Sequence, residues 1–194
     1  MKRTMILAAM LLLAGCAPPM AWVGVKPGPV RVCGHLTVQG DPDWSRMQRR
    51  APEPGHDAWT MDGLPLDQLQ FFVGIASGDP LQVMAGHAGK QIPKFQKDMQ
   101  AQEIIELYET LATLDGSTFT RGRMAPANFA GAPGFRFEFQ RVRKGDELMM
   151  KGVGYGSVQK DRLYLLVYEA PRIHYFAHNL PQVEAIASSA KVLE

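Results

Sequence analysis

The feature that most constrains the fold is a regular alternation of apolar and polar residues in the C-terminal third of the chain. Phe135, Phe137 and Phe139 are each followed by a polar residue, so one side of this stretch is apolar and the other is polar. Two more strand-like runs, 148–158 and 163–168, follow the turn-type sequences KGD and KD. The pattern predicts an antiparallel meander of three strands.

Two helices accompany this meander. Apolar residues recur every three or four positions across 95–114, which predicts an amphipathic helix that ends at the aspartate–glycine pair 115–116. A last helix is predicted to begin at Pro181, because proline is favoured in the first helical turn. The preceding stretch, HYFAHNLP at 174–181, is then predicted to be a turn. The last helix is predicted to dock through Leu180, Val183 and Ile186 on the alternating strand residues Leu163, Leu165 and Val167.

The N-terminal half is more polar and less regular. It predicts one strand at 30–38, a loop at 39–57, a short strand at 58–63, a buried strand at 69–75 and a loop at 77–90. Strands, a long helix, three strands and a terminal helix together predict an α+β domain built on an antiparallel sheet.

Residues 1–15 have the pattern of a bacterial signal peptide. Lys2 and Arg3 precede nine apolar residues, 5–13, which are too few to span a hydrocarbon core of ~30 Å as a helix. The sequence LAGC, which ends at Cys16, resembles the lipobox of bacterial lipoproteins. In that family the cysteine thiol takes a diacylglyceryl group, and the signal is cut before the cysteine. The resemblance implies that Cys16 is lipidated and begins the mature protein. An ordinary secretory signal with a chance cysteine is the alternative.

Several acyl chains on one residue suffice for stable anchoring, whereas one chain binds a membrane reversibly. Ala17, rather than aspartate, follows the cysteine, which by resemblance to enterobacterial lipoproteins favours the outer membrane. The predicted organisation is a signal peptide at 1–15, a lipidated cysteine and flexible tether at 16–29, and one globular domain at 30–194.

Net charge excludes a general nucleic-acid role. Lys2 and Arg3 are the only charged residues of the predicted signal, and without them the basic residues equal the 19 acidic ones. The chain has two cysteines, so lipidation of Cys16 would leave Cys33 without an intramolecular disulfide partner. We expect Cys33 to be a buried thiol.

The sequence contains no established catalytic motif. No Gly-x-Ser-x-Gly, His-Glu-x-x-His or Cys-x-x-Cys occurs, and the glycine-rich GVGYG at 152–156 lies inside a predicted strand, where close backbone packing explains it. Asp57, Asp62 and Asp67 recur within a short stretch, but a role in loops and turns explains them better than acid–base chemistry does. We therefore expect no catalytic residue and no cofactor.

The most unusual cluster is HYFAH. His174 and His178 are four apart, as two metal ligands on a helix would be, but prolines bracket the segment and no third ligand is near, so we expect no metal. Together with Tyr175 and Phe176 they are candidate partner-binding residues. Ordinary packing at the turn between strand and helix is the alternative.

The C-terminal sequences GFRFEF, DRLYLLVYEAP and LPQVEAIASSAKV, in this order, resemble the end of PsbP-like and DcrB-like domains. The match is best over 163–191 and is weaker at 59–60 and 95–114. This resemblance implies an α+β fold with a curved antiparallel sheet and helices on its faces, an αβα sandwich. It also implies an assembly, accessory or interaction module, because the family is not catalytic. No position matches the family's metal or photosystem contacts.

These observations predict a membrane-anchored, non-catalytic lipoprotein of the bacterial envelope that faces the periplasm and binds an envelope protein. One alternative is a small hydrolase or metal-dependent enzyme with a site around His35, His56, His87 or the stretch 57–67. Another is a carrier of an apolar ligand held between sheet and helix, which the methionine and phenylalanine content would suit.

Overall fold

The computed structural model describes residues 20–49, 53–82 and 92–193. Within these ranges the chain forms two helices and two antiparallel sheets. In chain order the elements are β1 (Met20–Gly24), β2 (Gly28–Val32), β3 (Leu36–Gly40), β4 (Ser45–Arg49), β5 (His56–Thr60), β6 (Gln68–Ala76), α1 (Ala101–Ala112), β7 (Thr118–Phe129), β8 (Ala132–Val142), β9 (Met149–Gln159), β10 (Arg162–Pro171), α2 (Tyr175–Ser189) and β11 (Lys191–Val192).

The large sheet has the strand order β1-β4-β5-β6-β10-β9-β8-β7, and each neighbouring pair is antiparallel. The small sheet has the order β11-β3-β2. Strand β10 lies in the middle of the large sheet. Its residue Leu166 pairs with Phe71 of β6 on one side and with Tyr155 of β9 on the other. Helix α1 covers one face of the large sheet, here called the α1 face. Helix α2 and the small sheet cover the opposite face, the α2 face.

The predicted meander is confirmed as β8, β9 and β10. On the α1 face, the rings of Phe135, Phe137 and Phe139 lie directly over the strand β9 glycines that pair with them. A methyl group at any of Gly152, Gly154 or Gly156 would overlap the ring above it. Close backbone packing, as the sequence predicts, therefore explains GVGYG. Aromatic rings that cover strand glycines replace the contacts which those residues lack.

Helix α1 packs on these rings through Ile104, Leu107 and Tyr108, all of which are buried. Each such side chain contributes roughly 1.5–3 kcal/mol when it is fully buried. The helix is shorter than the predicted 95–114 because a capping box starts it: the Gln100 N–H donates to the Glu103 carboxylate at 2.7 Å. Phe95 is buried as predicted, but it lies in an extended segment bonded to Gly78 and Asp79.

A buried ion pair joins the end of α1 to the sheet. Arg141 of β8 donates to both carboxylate oxygens of Glu169 on β10, at 3.0 and 2.7 Å. Its third nitrogen faces the Ala112 carbonyl and the Ser117 hydroxyl, at 3.4 and 3.2 Å. Glu169 raises the pKa of Arg141 against the opposing effect of burial. These residues border a cavity of about 230 Å³ under the helix end.

The last helix begins earlier than predicted. Its first residue is Tyr175, so all of HYFAH except His174 is helical, and the turn is confined to 172–174. Pro181 lies inside the helix rather than at its start. It has no N–H for the carbonyl of Ala177, which is an exposed residue, so water can satisfy that oxygen.

The last helix docks as predicted through Val183 and Ile186, which are buried, with Leu180 partly buried beside them. The predicted strand partners are wrong. Leu163, Leu165 and Val167 face α1, whereas α2 packs with Tyr164, Leu166 and Tyr168. Strand β10 is buried on both faces, so its apolar residues form a continuous run and their alternation does not identify the face that a helix covers.

The N-terminal half contains more strands than predicted. The predicted strand 30–38 is a hairpin of β2 and β3, because Cys33 and Gly34 turn the chain with φ of 47° and 76°. The predicted loop 39–57 contains β4, and the predicted tether contains β1, which pairs with β4. The strand β7 is also unpredicted, because most of its side chains are exposed and polar or small. The predicted buried strand 69–75 is confirmed as β6.

Candidate functional site

A cleft of about 600 Å³ lies between the β2–β3 hairpin and the outer strands β1, β4 and β5. Strand alternation sends Val23 and Arg46, which are paired across β1 and β4, toward this space. Valines, a proline, Met47 and Ala58 form its apolar part, and charged residues from four segments form its polar part. Its volume is typical of small-molecule sites.

The first polar group of the cleft is an ion pair between strands. Arg46 Nη2 lies 2.5 Å from Asp57 Oδ2, and Arg46 Nη1 donates to the Arg31 carbonyl at 3.3 Å. Asp57 is buried, and this burial raises its pKa although Arg46 acts in the opposite direction. The guanidinium thus joins the small sheet to the large one at the floor of the cleft.

The second polar group is His56 with Glu53. His56 Nδ1 lies 3.5 Å from Glu53 Oε2, and Gln82 Nε2 donates to the same oxygen at 3.2 Å. The imidazole is buried and lies against Phe72, with 5.2 Å between the ring centroids. Packing and neighbours therefore hold this histidine in place.

Cys33 supplies a thiol to the cleft from the hairpin turn. Burial raises its pKa to about 12, and Asp57 raises it further against the opposing effect of Arg46. A nucleophilic cysteine needs the opposite environment, one that stabilises the thiolate. The environment of Cys33 therefore disfavours a nucleophilic thiolate.

The three aspartates singled out in the sequence lie apart. Asp57 lines the cleft, whereas Asp67 accepts from the Thr60 hydroxyl at 2.5 Å and from the N–H groups of Met61 and Asp62. The Asp62 carboxylate accepts from Asn179 Nδ2 of α2 at 2.9 Å. Asp62 and Asp67 thus stabilise a turn and its contact with a helix, as the sequence predicts. For Asp57 the same prediction is wrong, because this residue lies in β5 and is buried against Arg46. Burial raises the pKa of Asp67.

A second surface lies at the end of the large sheet where β1 and β10 finish and β6 and β9 begin. Leu64, Met149 and Ile173 expose 45%, 41% and 81% of their surface there. Backbone and side-chain bonds link their loops: the Arg172 N–H donates to the Met149 carbonyl, and Arg143 Nη1 donates to the Pro65 carbonyl. Leu64, Met149, Ile173, His174 and Tyr175 together are called the distal surface below.

A strained turn presents Ile173. His174 has φ 72° and ψ −69°, and the Tyr175 N–H donates to the Ile173 carbonyl at 3.0 Å. This is a γ-turn of the strained type, which non-glycine residues rarely adopt. Such strain often accompanies ligand-binding segments.

The structure separates the candidate residues of HYFAH. Phe176 is buried and stacks on Tyr168 at 5.9 Å, so its ring belongs to the core. His174 and His178 are exposed and stack on each other at 5.6 Å, and Tyr175 is partly exposed. In 20–49, 53–82 and 92–193 no group of three potential ligands could hold a metal ion. His35 is exposed on its hairpin, with its ring against Gly74 of β6.

The predicted lipidation site Cys16 and the histidine at 87 lie outside the described residues. Neither helix among the described residues is long and apolar enough to cross a bilayer. Sequence reasoning missed the cleft, because most of its residues fall in segments interpreted as a tether or a loop. The only local indication of these strands in the sequence is a set of charged residues, the arginines near Trp44 and the aspartate at 57. Such residues suit strands whose inward side is polar.

Comparison with solved structures identifies the fold. Over 93% of this chain and 99% of the other, the structure superimposes on cyanobacterial PsbP (CyanoP) from Synechocystis with a TM-score of 0.55 and 11% identity. LpqN of Mycobacterium tuberculosis, described as involved in cell envelope biogenesis, aligns over 90% of this chain and 92% of its own with a TM-score of 0.39 and 10% identity. No protein-family model and no curated protein matches the chain. The protein therefore has the PsbP-like fold that its C-terminal sequence predicts.

Proposed function

We propose that this protein is a non-catalytic accessory module of the bacterial envelope, anchored through lipid on Cys16, which binds an envelope protein at its distal surface. The observation that carries the proposal is the presentation of Ile173, 81% exposed, by a strained turn among other exposed apolar side chains. Exposed apolar clusters of this kind mark interaction sites in soluble domains.

The position of the anchor supports this assignment. Cys16 precedes the first residue of β1 by four positions, a span of at most ~14 Å for an extended chain. Strand β1 starts at one end of the large sheet, and the distal surface lies at the other. Lipid on Cys16 would hold the first end near the bilayer and direct the distal surface into the periplasm. Ala17 favours the outer membrane by its resemblance to enterobacterial lipoproteins.

Hydrolysis in the cleft is the second candidate, since Cys33, His56 and Asp57 all line it. The pKa of Cys33, raised to about 12, and the engagement of Asp57 with Arg46 favour binding over nucleophilic catalysis. The space between the sheet and the helices is filled by two clusters of buried side chains, which disfavours an apolar carrier site there.

The anchor is tested by Cys16→Ala in cells that receive a fatty-acid analogue. We expect unprocessed precursor and loss of labelling, because the thiol is the proposed acceptor. Cys33→Ala is the matched control and should retain both processing and label. Labelling that persists in Cys16→Ala would show that the anchor assignment is wrong.

The distal surface is tested with a photo-reactive amino acid placed at Ile173 or Leu64 in intact cells. We expect both positions to capture the same envelope protein, and Lys160, on the opposite end of the sheet, to capture none of it. Ile173→Glu should abolish capture from Leu64 without lowering the melting temperature, since Ile173 is exposed. Capture from Leu64 that survives Ile173→Glu would contradict the proposal.

A further inference from the structure

We propose that the cleft binds an anionic amphiphile, a molecule with an acyl chain and a phosphate or carboxylate head, taken from the bilayer. The site is distinct from the distal surface. The proposed anchor supplies only the source of the ligand, and the cleft itself supplies the binding groups.

The apolar part of the cleft suits an acyl chain. Val23 of β1 and Val30 of β2 line one space, and Val25 lies beside them. Val23 is 47% exposed, so part of this wall faces solvent when the cleft is empty. An acyl chain gains about 0.8 kcal/mol per methylene that it buries, which gives such a wall a physical reason to take a lipid.

The charges of the cleft favour an anion at its mouth. Asp57 is engaged by Arg46, and Glu53 lies against His56 and Gln82. Lys26 and Arg31 also line the cleft and are exposed, and neither has a carboxylate partner within 20–49, 53–82 and 92–193. Both acids thus have partners inside the protein, whereas two cations are left for a ligand. Phosphate and carboxylate heads match these donors.

The site lies beside the strand nearest the proposed anchor. Strand β1 contributes Val23 to the cleft and carries Trp22, which is 42% exposed, on its other side. Tryptophan is the side chain most suited to a membrane–water boundary, because it is apolar at one end and donates a hydrogen bond at the other. With Cys16 lipidated, the start of β1 would therefore lie at the bilayer surface, and the cleft would begin a few residues further along the same strand.

The test uses the full lipidated chain in vesicles of phosphatidylcholine that contain phosphatidylglycerol with a diazirine on one acyl chain. Flotation before irradiation shows whether the protein is anchored, which separates failure of the anchor from failure of the cleft. After irradiation we expect lipid adducts at Val23 and Val30. Photo-reactive phosphatidylcholine in place of phosphatidylglycerol should label these residues much less.

The charge requirement is tested by Lys26→Glu with Arg31→Glu, which should lose most of the adducts. The matched control is Lys160→Glu with Arg172→Glu, two exposed cations outside the cleft, which should keep them. Equal labelling in both variants, or adducts spread over exposed residues outside the cleft such as those of β7, would overturn the proposal.

A last arm identifies the source of the ligand. Dodecyl phosphate has the same head and chain chemistry as the proposed ligand. It is added below its micellar concentration, both to protein that floats with the vesicles and to protein that does not. Competition with the adducts would show that the cleft takes a free amphiphile as well as a membrane lipid. Adducts that resist it would assign the cleft to bilayer lipid. Labelling absent under every condition would refute the site.

Discussion

The two faces of the large sheet are built differently. One helix covers the α1 face, where phenylalanine rings pack over glycines and the buried ion pair is bidentate. The α2 face is shared between a helix and a small sheet, and at its outer end these leave the cleft. The comparison teaches that a face closed by one helix keeps only a small cavity, about 230 Å³ at the helix end. A face closed by two elements leaves a larger space between them, the cleft of about 600 Å³.

The largest effect is expected at the ion pair of the α1 face. Glu169→Gln leaves the largely buried Arg141 guanidinium with only the exposed Asp115 carboxylate, 3.5 Å away, as a counter-charge, and should reduce the free energy of unfolding by roughly 3 kcal/mol. Urea unfolding measures this change. Glu138→Gln is the matched control, because its partner Arg136 is more exposed, and it should cost about 1 kcal/mol or less. Similar losses in the two variants would show that the α1 face does not depend on its buried pair.

The next effect is expected in the layer of rings over glycines. Gly154→Ala places a methyl group against the Phe137 ring and should cost roughly 3 kcal/mol through overpacking. Phe137→Leu in the same chain should recover part of this loss, because the smaller side chain leaves room, and a double-mutant cycle measures the coupling. Gly145→Ala, where a methyl group meets nothing within 4 Å, is the control. A tolerated Gly154→Ala would contradict the packing described.

A gain in stability is expected on the α2 face. His174→Gly relieves a backbone strain of about 1–3 kcal/mol, and the entropy of glycine offsets about 0.5–1 kcal/mol of it. The melting temperature should rise by an amount that corresponds to about 1 kcal/mol. His178 gives the contrast, because it lies within the helix. His178→Gly should lower the free energy of unfolding by about 1 kcal/mol. Equal losses in both variants would show that the turn at His174 is unstrained.

The smallest effect concerns pH. Burial raises the pKa of Asp57, so the folded state binds this proton more tightly than the unfolded state, and stability falls as pH rises through the raised pKa. Asp57→Asn should therefore raise the melting temperature at neutral pH, and its advantage should shrink as the solution is acidified. Loss of stability at neutral pH would mean that the attraction of Arg46 outweighs the cost of burying the charge.

The pKa of Asp146 is shifted in the opposite direction, so its effect on stability has the opposite pH dependence. Its hydrogen bond to Arg143 lowers the pKa to about 2, so the ionised carboxylate stabilises the folded state above its ordinary pKa. Asp146→Asn should lower the melting temperature at neutral pH, and the difference should disappear as pH falls toward 2. The side chain is exposed, and the effect is therefore small. Thermal scans of both variants across the acid range measure the contrast.

Sequence reasoning succeeded where one physical pattern dominates. The strands β8 to β10 could be predicted because Phe135, Phe137 and Phe139 alternate with polar residues and turn sequences separate the runs. The role of the β9 glycines followed from their position in a strand. Which face of β10 receives α2 could not be predicted, because both of its faces are apolar.

The candidate sites were harder to predict than the fold. HYFAH was correctly identified as unusual, but proline at 181 suggested a helix start, and only the structure shows that the helix begins at Tyr175. The cleft depends on strands such as β1 and β4, which are short, polar and paired with each other. Their existence follows from long-range pairing, which local patterns do not encode.

The strand order has a consequence for how the chain reaches its native state. Strand β6 ends at Ala76, and its partner β10 begins at Arg162, so the middle of the large sheet closes only when the two distant segments meet. A chain cut before Arg162 would separate the first strands from the β7–β9 meander. The long apolar edges of β6 and β9 would then be open templates for pairing between molecules. High contact order of this kind slows folding, and aggregation of nascent or truncated chains competes most strongly at this step.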